Sequence, residues 1–147
     1  MTSSSTAAPM PYRKPLPAIA DDNKPFLDGL RRHRFLVPKC GACGDYSWIP
    51  HPACRSCLSE DLTWTPVSGD ATVYSFTIAH RGPGAFALDV PYAIVLGELV
   101  EQPRPCLVVG NLVGALPGVL EIGMPIRIGY HDVPEHDATL WHWTTRA

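Results

Sequence analysis

The sequence has 147 residues, of which 46% are hydrophobic and 18% charged, and its formal net charge is −2. This length fits one domain, or a small module joined to a domain, and no apolar stretch reaches the roughly 18 residues of a membrane-spanning helix. The N-terminal residues lack the apolar segment of a secretory signal, so we expect a cytoplasmic protein in which disulfides are disfavoured. The 16 Pro and 12 Gly residues favour short strands and turns over long helices.

Charge is divided unevenly along the chain. Residues 1–58 carry eight Lys and Arg against four Asp and Glu, whereas residues 59–147 carry four against ten. The basic half is suited to phosphates or an acidic partner, while the acidic half would repel a nucleic-acid backbone. Chance unevenness on a solvated surface explains the same pattern equally well.

The N-terminal part predicts an arm followed by one short helix. Residues 1–23 are rich in Ser, Thr, Ala and Pro and lack hydrophobic periodicity, which predicts a flexible or extended arm. Asp22 or Asn23 is a candidate helix cap, with Pro25 in the first turn. The apolar stripe of this helix consists of Phe26, Leu27 and Leu30. Its C-terminal end, where cations complement the helix dipole, carries Arg31, Arg32, His33 and Arg34.

Four of the five cysteines form two Cys-x2-Cys pairs that are ten residues apart: Cys40, Cys43, Cys54 and Cys57. Each pair presents two thiolates on one side of a tight turn, and two such turns facing each other make a tetrahedral site. Because four thiolates leave no position open for a substrate, we predict one structural zinc ion. The spacing leaves disulfides, buried free thiols or iron as alternatives. The fifth cysteine, Cys106, lies in an apolar run and is expected to be a small buried hydrophobe.

The chain from residue 62 to residue 147 has the pattern of a β domain. Residues 72–79 alternate, with Tyr74, Phe76 and Ile78 on one face. Two apolar runs follow, at 92–100 and 106–113, and we interpret Gly97 and Gly110 within them as bends or bulges. Alternation returns at 126–130 and at 139–143. Five strands in this length predict a mainly β protein with a five-stranded barrel of the OB type, although the periodicity also permits another small β-barrel.

Several segments carry a family resemblance when they are taken in this order: KPFLDGLRRHRFLVPKC, WIPHPACRSC, WTPVSGDATVYSFT, PYAIVLGELVE and EIGMPI. Over about residues 24–143 the chain resembles the rubredoxin-like zinc-ribbon/OB-fold proteins that accompany thiolases, acyl-CoA aldolases and hydratases in bacteria and archaea. The resemblance implies a helix and zinc ribbon over residues 24–61 and an OB barrel over residues 62–147. The chain departs from the family's commonest form at two places. It has Phe26-Leu27 where an aromatic pair is usual, and Glu101-Gln102-Pro103 where Glu-Gly is usual.

The resemblance also implies a non-catalytic accessory subunit that docks on a thiolase-like, aldolase or hydratase subunit and supports its assembly or its binding of acyl-CoA. The helix offers an apolar centre and a basic rim for such a partner, or for the phosphates of a coenzyme A thioester: Phe26, Leu27, Leu30, Arg31, Arg32 and Arg34. The Gly- and Pro-rich loop after His80 and Arg81 is a second candidate contact. The alternative is that the helix packs on its own barrel and its Arg residues are solvated.

Two other classes of function would use different residues of the chain. Single-stranded nucleic-acid binding would use aromatic side chains to stack bases; the candidates are Tyr74, Phe76, Tyr92, Tyr130, Trp141 and Trp143. The β half is acidic and has no Lys, so we expect no nucleic-acid partner. Independent catalysis would draw on polar residues near strand ends, namely His80, Asp89, Tyr92, His131 and His136. These show no nucleophile–base spacing, and we predict no catalytic residue in this chain.

Overall fold

The computed structural model describes residues 11–101, 103–115 and 117–146. Helix α1 (Lys24–Leu30) is followed by an antiparallel two-stranded sheet, β1 (Leu36–Cys40) and β2 (Leu62–Pro66). The remaining strands close a barrel in the order β3-β4-β5-β7-β6. They are β3 (Asp70–Ala79), β4 (Tyr92–Leu99), β5 (Leu107–Leu112), β6 (Pro125–Val133) and β7 (Ala138–Thr145). The predicted mainly β fold with a five-stranded OB-type barrel is confirmed.

The helix begins where its sequence signals place it, but its cap works differently. Asn23 precedes α1 and makes no side-chain bond to the first turn. Its amide instead donates to the Ala18 carbonyl at 2.9 Å, and its Oδ1 accepts from the Ala20 amide at 2.9 Å. The arm from residue 11 onward is extended and reaches the barrel, where the Tyr12 amide donates to Glu135 at 3.1 Å. Residues 1–10 of the expected arm lie outside the described residues. No helix in the described ranges is long and apolar enough to cross a membrane.

Strand β2 belongs with the ribbon rather than with the barrel. It pairs with β1 along its whole length, from Leu62 opposite Cys40 to Pro66 opposite Leu36. The barrel itself begins at Asp70, where β3 first pairs with β6. The division that the sequence suggests after residue 61 therefore falls at the start of a strand that completes the ribbon sheet.

Two glycines make room for indole rings in the barrel. A Cβ atom on Gly97 would lie 2.5 Å from the Trp143 ring, and one on Gly110 would lie 2.5 Å from the Trp141 ring. The pairing of β4 with β5 runs without interruption through both glycines. The interpretation of Gly110 as a bend or bulge is therefore wrong, whereas Gly97 lies opposite a bulge of β3, where the β3–β4 register shifts. Both glycines lack the side chain that would collide with a Trp ring.

A bulge in β3 changes which residues face the core. The β3–β4 register shifts between Val73 and Ser75. Val73 is buried before the shift, Phe76 and Ile78 pack against the core after it, and Tyr74 within it is 52% exposed. The expectation that Tyr74 shares a face with Phe76 and Ile78 is wrong, because one extra residue reverses the alternation.

Candidate metal centre and contact surfaces

The two Cys-x2-Cys turns have the same backbone hydrogen bonds. The Cys40 amide donates to the Asp45 carbonyl at 2.8 Å, and the Cys54 amide donates to the Ser59 carbonyl at 2.8 Å. Gly44 and Leu58 close the turns by donating back to Cys40 and Cys54, at 2.9 and 3.0 Å. The two turns are thus equivalent half-sites, as a tetrahedral centre requires.

The four thiols are placed as zinc ligands are. Their sulfur atoms all lie within 4.8 Å of one another. Cys40 Sγ is 3.6 Å from Cys57 Sγ, and Cys43 Sγ is 3.6 Å from Cys54 Sγ. A tetrahedral ion with Zn–S bonds of about 2.3 Å separates its sulfurs by about 3.8 Å. The donor set therefore fits one zinc ion held by all four thiolates, and the four cysteines are not joined as disulfides.

Backbone amides favour the thiolate form of the first cysteine in each turn, Cys40 and Cys54, whereas the pKa values of Cys43 and Cys57 are raised. The Cys43 amide, helped by that of Ala42, lowers the pKa of Cys40 to about 6 despite partial desolvation. The Cys57 and Ser56 amides lower the pKa of Cys54, and the Ser56 amide lies 3.4 Å from its sulfur. Burial has the opposite effect on Cys106, where it raises the pKa of the thiol to about 11. Cys106 is a buried, protonated core residue, as the sequence predicts.

A buried carboxylate joins the metal centre to the barrel. Asp45 is 3% exposed and follows the first Cys-x2-Cys turn. Its Oδ2 accepts hydrogen bonds from Ser56 in the second turn and from Arg104, which lies between β4 and β5. Ser56 and Arg104 together lower the pKa of Asp45. One carboxylate thus connects both halves of the zinc site to the β4–β5 connection, and nothing in the sequence alone distinguishes it from other aspartates.

The apolar stripe of α1 faces the protein's own core. Leu30 is 2% exposed, and Leu27 packs against the core beside it. The Phe26 ring lies 5.1 Å from the rings of both Phe35 and Trp48. The expectation that Leu30 is available to a partner is therefore wrong, because the seven-residue helix needs this contact to be held in place.

The basic residues after the helix are partly engaged by the chain itself. Arg31 pairs with Asp28 at 3.1 Å, and its Nε donates to the Asp137 carbonyl at 3.1 Å. Arg32 donates to the Asp28 carbonyl at 3.1 Å. Arg34 is exposed. Of the three arginines, Arg31 therefore ties the helix to the turn before β7.

The polar residues near strand ends are only partly brought together. Strands β5 and β7 share a single bridge, Leu112 opposite Trp143. A cavity of about 520 Å³ is lined by residues of both strands and by Tyr12 and Lys14 of the arm. The lining of this cavity includes four polar residues and three large apolar ones: Asp89, Asn111, His131 and His142, and Phe86, Leu88 and Trp141.

Within this cavity, Asp89 pairs with Lys14 rather than with a histidine. His80 and His136 lie elsewhere and are exposed. Arg81, the other candidate in the loop after β3, is exposed as well. The described residues show no nucleophile activated by a base at any of these positions.

Most aromatic side chains of the barrel are not placed to stack bases. Trp143 is fully buried, and Phe76, Tyr130 and Trp141 pack against the core. Tyr130 also stacks on His33, with ring centroids 4.8 Å apart. A stacking platform needs a row of exposed rings, and the arrangement of these aromatic residues gives little support to that function.

One surface was missed by the interpretation of the sequence. The outward side chains of β4 are Tyr92, Ile94, Leu96 and Glu98, and Ile94 and Leu96 are half-buried with polar neighbours on β3. Leu96 pairs across to Val109 of β5, which is 52% exposed. The signal was in the sequence: YAIVLGEL is apolar at both phases of its alternation, as in strands that are covered on both faces.

Comparison with known protein families gives two adjacent matches. Residues 27–63 match the model of the ChsH2 rubredoxin-like zinc ribbon domain, and residues 64–131 match that of the ChsH2 C-terminal OB-fold domain. The chain is similar to a probable enoyl-CoA hydratase alpha subunit from Thermomonospora curvata, with 37% identity over 80% of this chain. It is also similar to the 3-oxo-4,17-pregnadiene-20-carboxyl-CoA hydratase alpha subunit of Mycobacterium tuberculosis, with 34% identity over 85% of this chain. The alignments cover 35% and 39% of those two relatives, so this chain spans little more than a third of their length.

Shorter relatives and solved structures match over most of their length. A DUF35 domain-containing scaffold protein of Methanocaldococcus jannaschii is 26% identical, over 71% of this chain and 72% of its own. A chain of the solved Ltp2-ChsH2(DUF35) aldolase superposes with a TM-score of 0.74 at 32% identity, over 88% of this chain and 98% of that one. A DUF35 protein of Sulfolobus solfataricus shares the fold, with a TM-score of 0.58 at 16% identity. The zinc ribbon, the barrel and these matches together show that the chain belongs to the DUF35 family of ChsH2-type zinc-ribbon/OB-fold proteins.

Proposed function

We propose that this chain is a non-catalytic accessory subunit that binds a hydratase or aldolase of acyl-CoA metabolism and supports its assembly or its binding of acyl-CoA. The main support is the match to a chain of the Ltp2-ChsH2(DUF35) aldolase, which covers 98% of that chain at 32% identity. The relatives named as hydratase alpha subunits point to the same class of partner. A thiolase-like subunit, which the sequence resemblance also implies, is a second form of partner.

The metal centre has a structural role in this proposal. Zinc held by four thiolates has no open position for substrate, so it stabilises the fold around it. What it stabilises is the ribbon sheet and, through Asp45, the junction between the ribbon and the barrel. A partner would therefore meet two modules held in one fixed arrangement.

Contact with coenzyme A is the finer part of the proposal. Arg34 is exposed after the helix, and Arg31 and Arg32 lie beside it with part of their hydrogen-bonding capacity used within the chain. The guanidinium group of an arginine can donate two parallel hydrogen bonds to the oxygens of a phosphate. Arg34 is thus a candidate for direct contact with the nucleotide part of an acyl-CoA held by the partner. His80 and Arg81, which are also exposed, form a second and separate candidate contact.

The test is affinity purification of the tagged chain from its native lysate, with identification of co-eluting proteins by mass spectrometry. The proposal predicts a hydratase, aldolase or thiolase-like subunit in stoichiometric amount. A chain that elutes alone, or with nucleic acid, would contradict it. The control for nonspecific capture is the variant in which all four zinc-site cysteines are replaced by Ser, because its ribbon cannot form: Cys40, Cys43, Cys54 and Cys57.

A further inference from the structure

The outer face of the β3–β4–β5 sheet is apolar at its centre, and helix α1 packs mainly on other strands, β1 and β7. In β4 the inward side chains Ala93, Val95 and Leu99 are buried in the core. The outward side chains Ile94 and Leu96 point to the opposite side, where an antiparallel sheet that faces water normally carries polar residues.

This outer face continues across the neighbouring strands. Leu96 lies between Ser75 of β3 and Val109 of β5, and Ile94 lies between Thr77 and Asn111. Tyr74, which the bulge in β3 turns outward, adds an exposed aromatic ring at 52% exposure, equal to that of Val109. Helix α1 packs mainly on β1 and β7, and the half-exposed side chains of Tyr74 and Val109 show that this face is accessible to solvent. A contiguous apolar patch of this kind marks an interaction surface.

The charge on and around this face favours a different subunit over a second copy. Its one charged side chain is Glu98, at the end of β4. The half of the chain that forms the barrel has four basic residues against ten acidic ones, or 4 − 10 = −6. Two of those four are already paired, Arg104 with Asp45 and Arg146 with Asp70. Two copies that met barrel to barrel would therefore bring together like charges and desolvate Glu98 with little to compensate it.

We infer that the outer face, formed by Tyr74, Ile94, Leu96 and Val109 with Glu98 at its edge, is the docking surface for the partner enzyme subunit. The partner presents an apolar surface with a Lys or Arg opposite Glu98. This inference rests on the proposed function and assigns it to a surface other than the helix. The apolar centre supplies the affinity, and the rim charge sets orientation and salt dependence.

The first test is a footprint that requires no disruption of the interface. Val109→Cys and the control Ile19→Cys, at a position that is 64% exposed and lies on the arm beside α1, are each labelled with N-ethylmaleimide. Labelling is compared between the isolated chain and its purified complex with the identified partner. Protection of residue 109 by at least about tenfold is expected in the complex, with residue 19 labelled equally in both. Equal labelling at residue 109 would overturn the assignment while leaving the proposed function intact.

The second test uses Leu96→Arg, which places a charge at the centre of the face, and Ile19→Arg as its matched control on the arm. Leu96→Arg is expected to weaken partner binding by at least about tenfold with an unchanged circular dichroism spectrum, whereas Ile19→Arg binds as the wild type does. Glu98→Gln should weaken binding and reduce its salt dependence. A wild-type homodimer by light scattering that Leu96→Arg converts to a monomer would assign the face to a second copy and overturn the inference. A wild-type chain that binds no subunit at all would overturn the proposed function together with it.

Discussion

Arg104, which follows β4 in the barrel, donates a hydrogen bond from Nη1 to Oδ2 of Asp45 in the zinc ribbon at 2.5 Å. Asp45 also accepts from Ser56, two residues after the metal ligand Cys54. The carboxylate is nearly inaccessible to water, and its other oxygen, Oδ1, has no hydrogen-bond partner among the described residues. Burying a carboxylate is costly unless it is paired, so the contact with Arg104 of the barrel stabilises the ribbon around Asp45.

The first prediction follows from this pair. Arg104→Ala leaves the buried Asp45 carboxylate with Ser56 alone, so the ribbon should open more often, and amide hydrogen exchange in residues 36–66 should accelerate. Arg55→Ala is the control, since Arg55 is an exposed ribbon arginine with no ion pair among the described residues. Exchange that is equally slow in both variants would show that Asp45 does not join the two modules.

Zinc content tests the ligand assignment. Cys40→Ser and Cys57→Ser each remove one of four thiolates, so each variant should lose its zinc and the order of the ribbon. Cys106→Ser should keep one zinc per chain, because Cys106 lies in the barrel core. Metal analysis of the purified chains measures this directly, and equal zinc loss from all three variants would refute the assignment.

The packing of Trp143 gives a prediction about stability. Gly97→Ala places a methyl group 2.5 Å from the fully buried Trp143 ring, and such overpacking costs about 1–3 kcal/mol. Gly118→Ala is the control, because a Cβ there meets no atom within 4 Å. Urea unfolding compares the two variants, and a Gly97→Ala chain as stable as the wild type would show that the core near Trp143 is loosely packed.

His142 should make stability depend on pH. Burial, and then the charge of His131, lowers the pKa of His142 from 6.5. The unfolded chain therefore takes up a proton at a higher pH than the folded chain does. Stability is complete above the unfolded pKa of about 6.5 and decreases as the pH falls below it towards the folded pKa.

Replacing His142 with Gln removes this titration. The difference in unfolding free energy between pH 8 and pH 5 should therefore be smaller in His142→Gln than in the wild type. His80→Gln, at an exposed position, serves as the control and should behave as the wild type does. An unchanged pH dependence in His142→Gln would mean that the ring is solvated in the folded chain.

The strands and the metal site could be predicted from the sequence because they rest on local patterns. Cys-x2-Cys turns and the two-residue alternation of strands can both be recognised from residues that are close together in the sequence. The errors came from contacts between distant segments. Gly110 is predicted to be a bend until the structure shows the ring of Trp141, 31 positions further along the sequence, packed against it. Tyr74 is predicted to be a core residue from the alternation alone, and only the bulge of β3 against β4 shows that it faces outward.

The contact surfaces were harder to predict for the same reason. The stripe at Phe26 and Leu30 is apolar whether it meets a partner or its own core, and only the packing of Phe26 on Phe35 and Trp48 decides between them. The apolar character of the outer face of β4 could be inferred from the sequence YAIVLGEL. Its meaning depended on knowing that Tyr74 and Val109 beside it are half-exposed and that α1 packs mainly on β1 and β7.

The most direct test of the accessory role is acyl-CoA turnover by the identified partner subunit, measured with and without this chain. The account predicts that the chain alone has no activity and that the partner loses most of its activity, or its assembly, when the chain is absent. Turnover by the chain alone, or a partner that is equally active and equally assembled without it, would contradict the account.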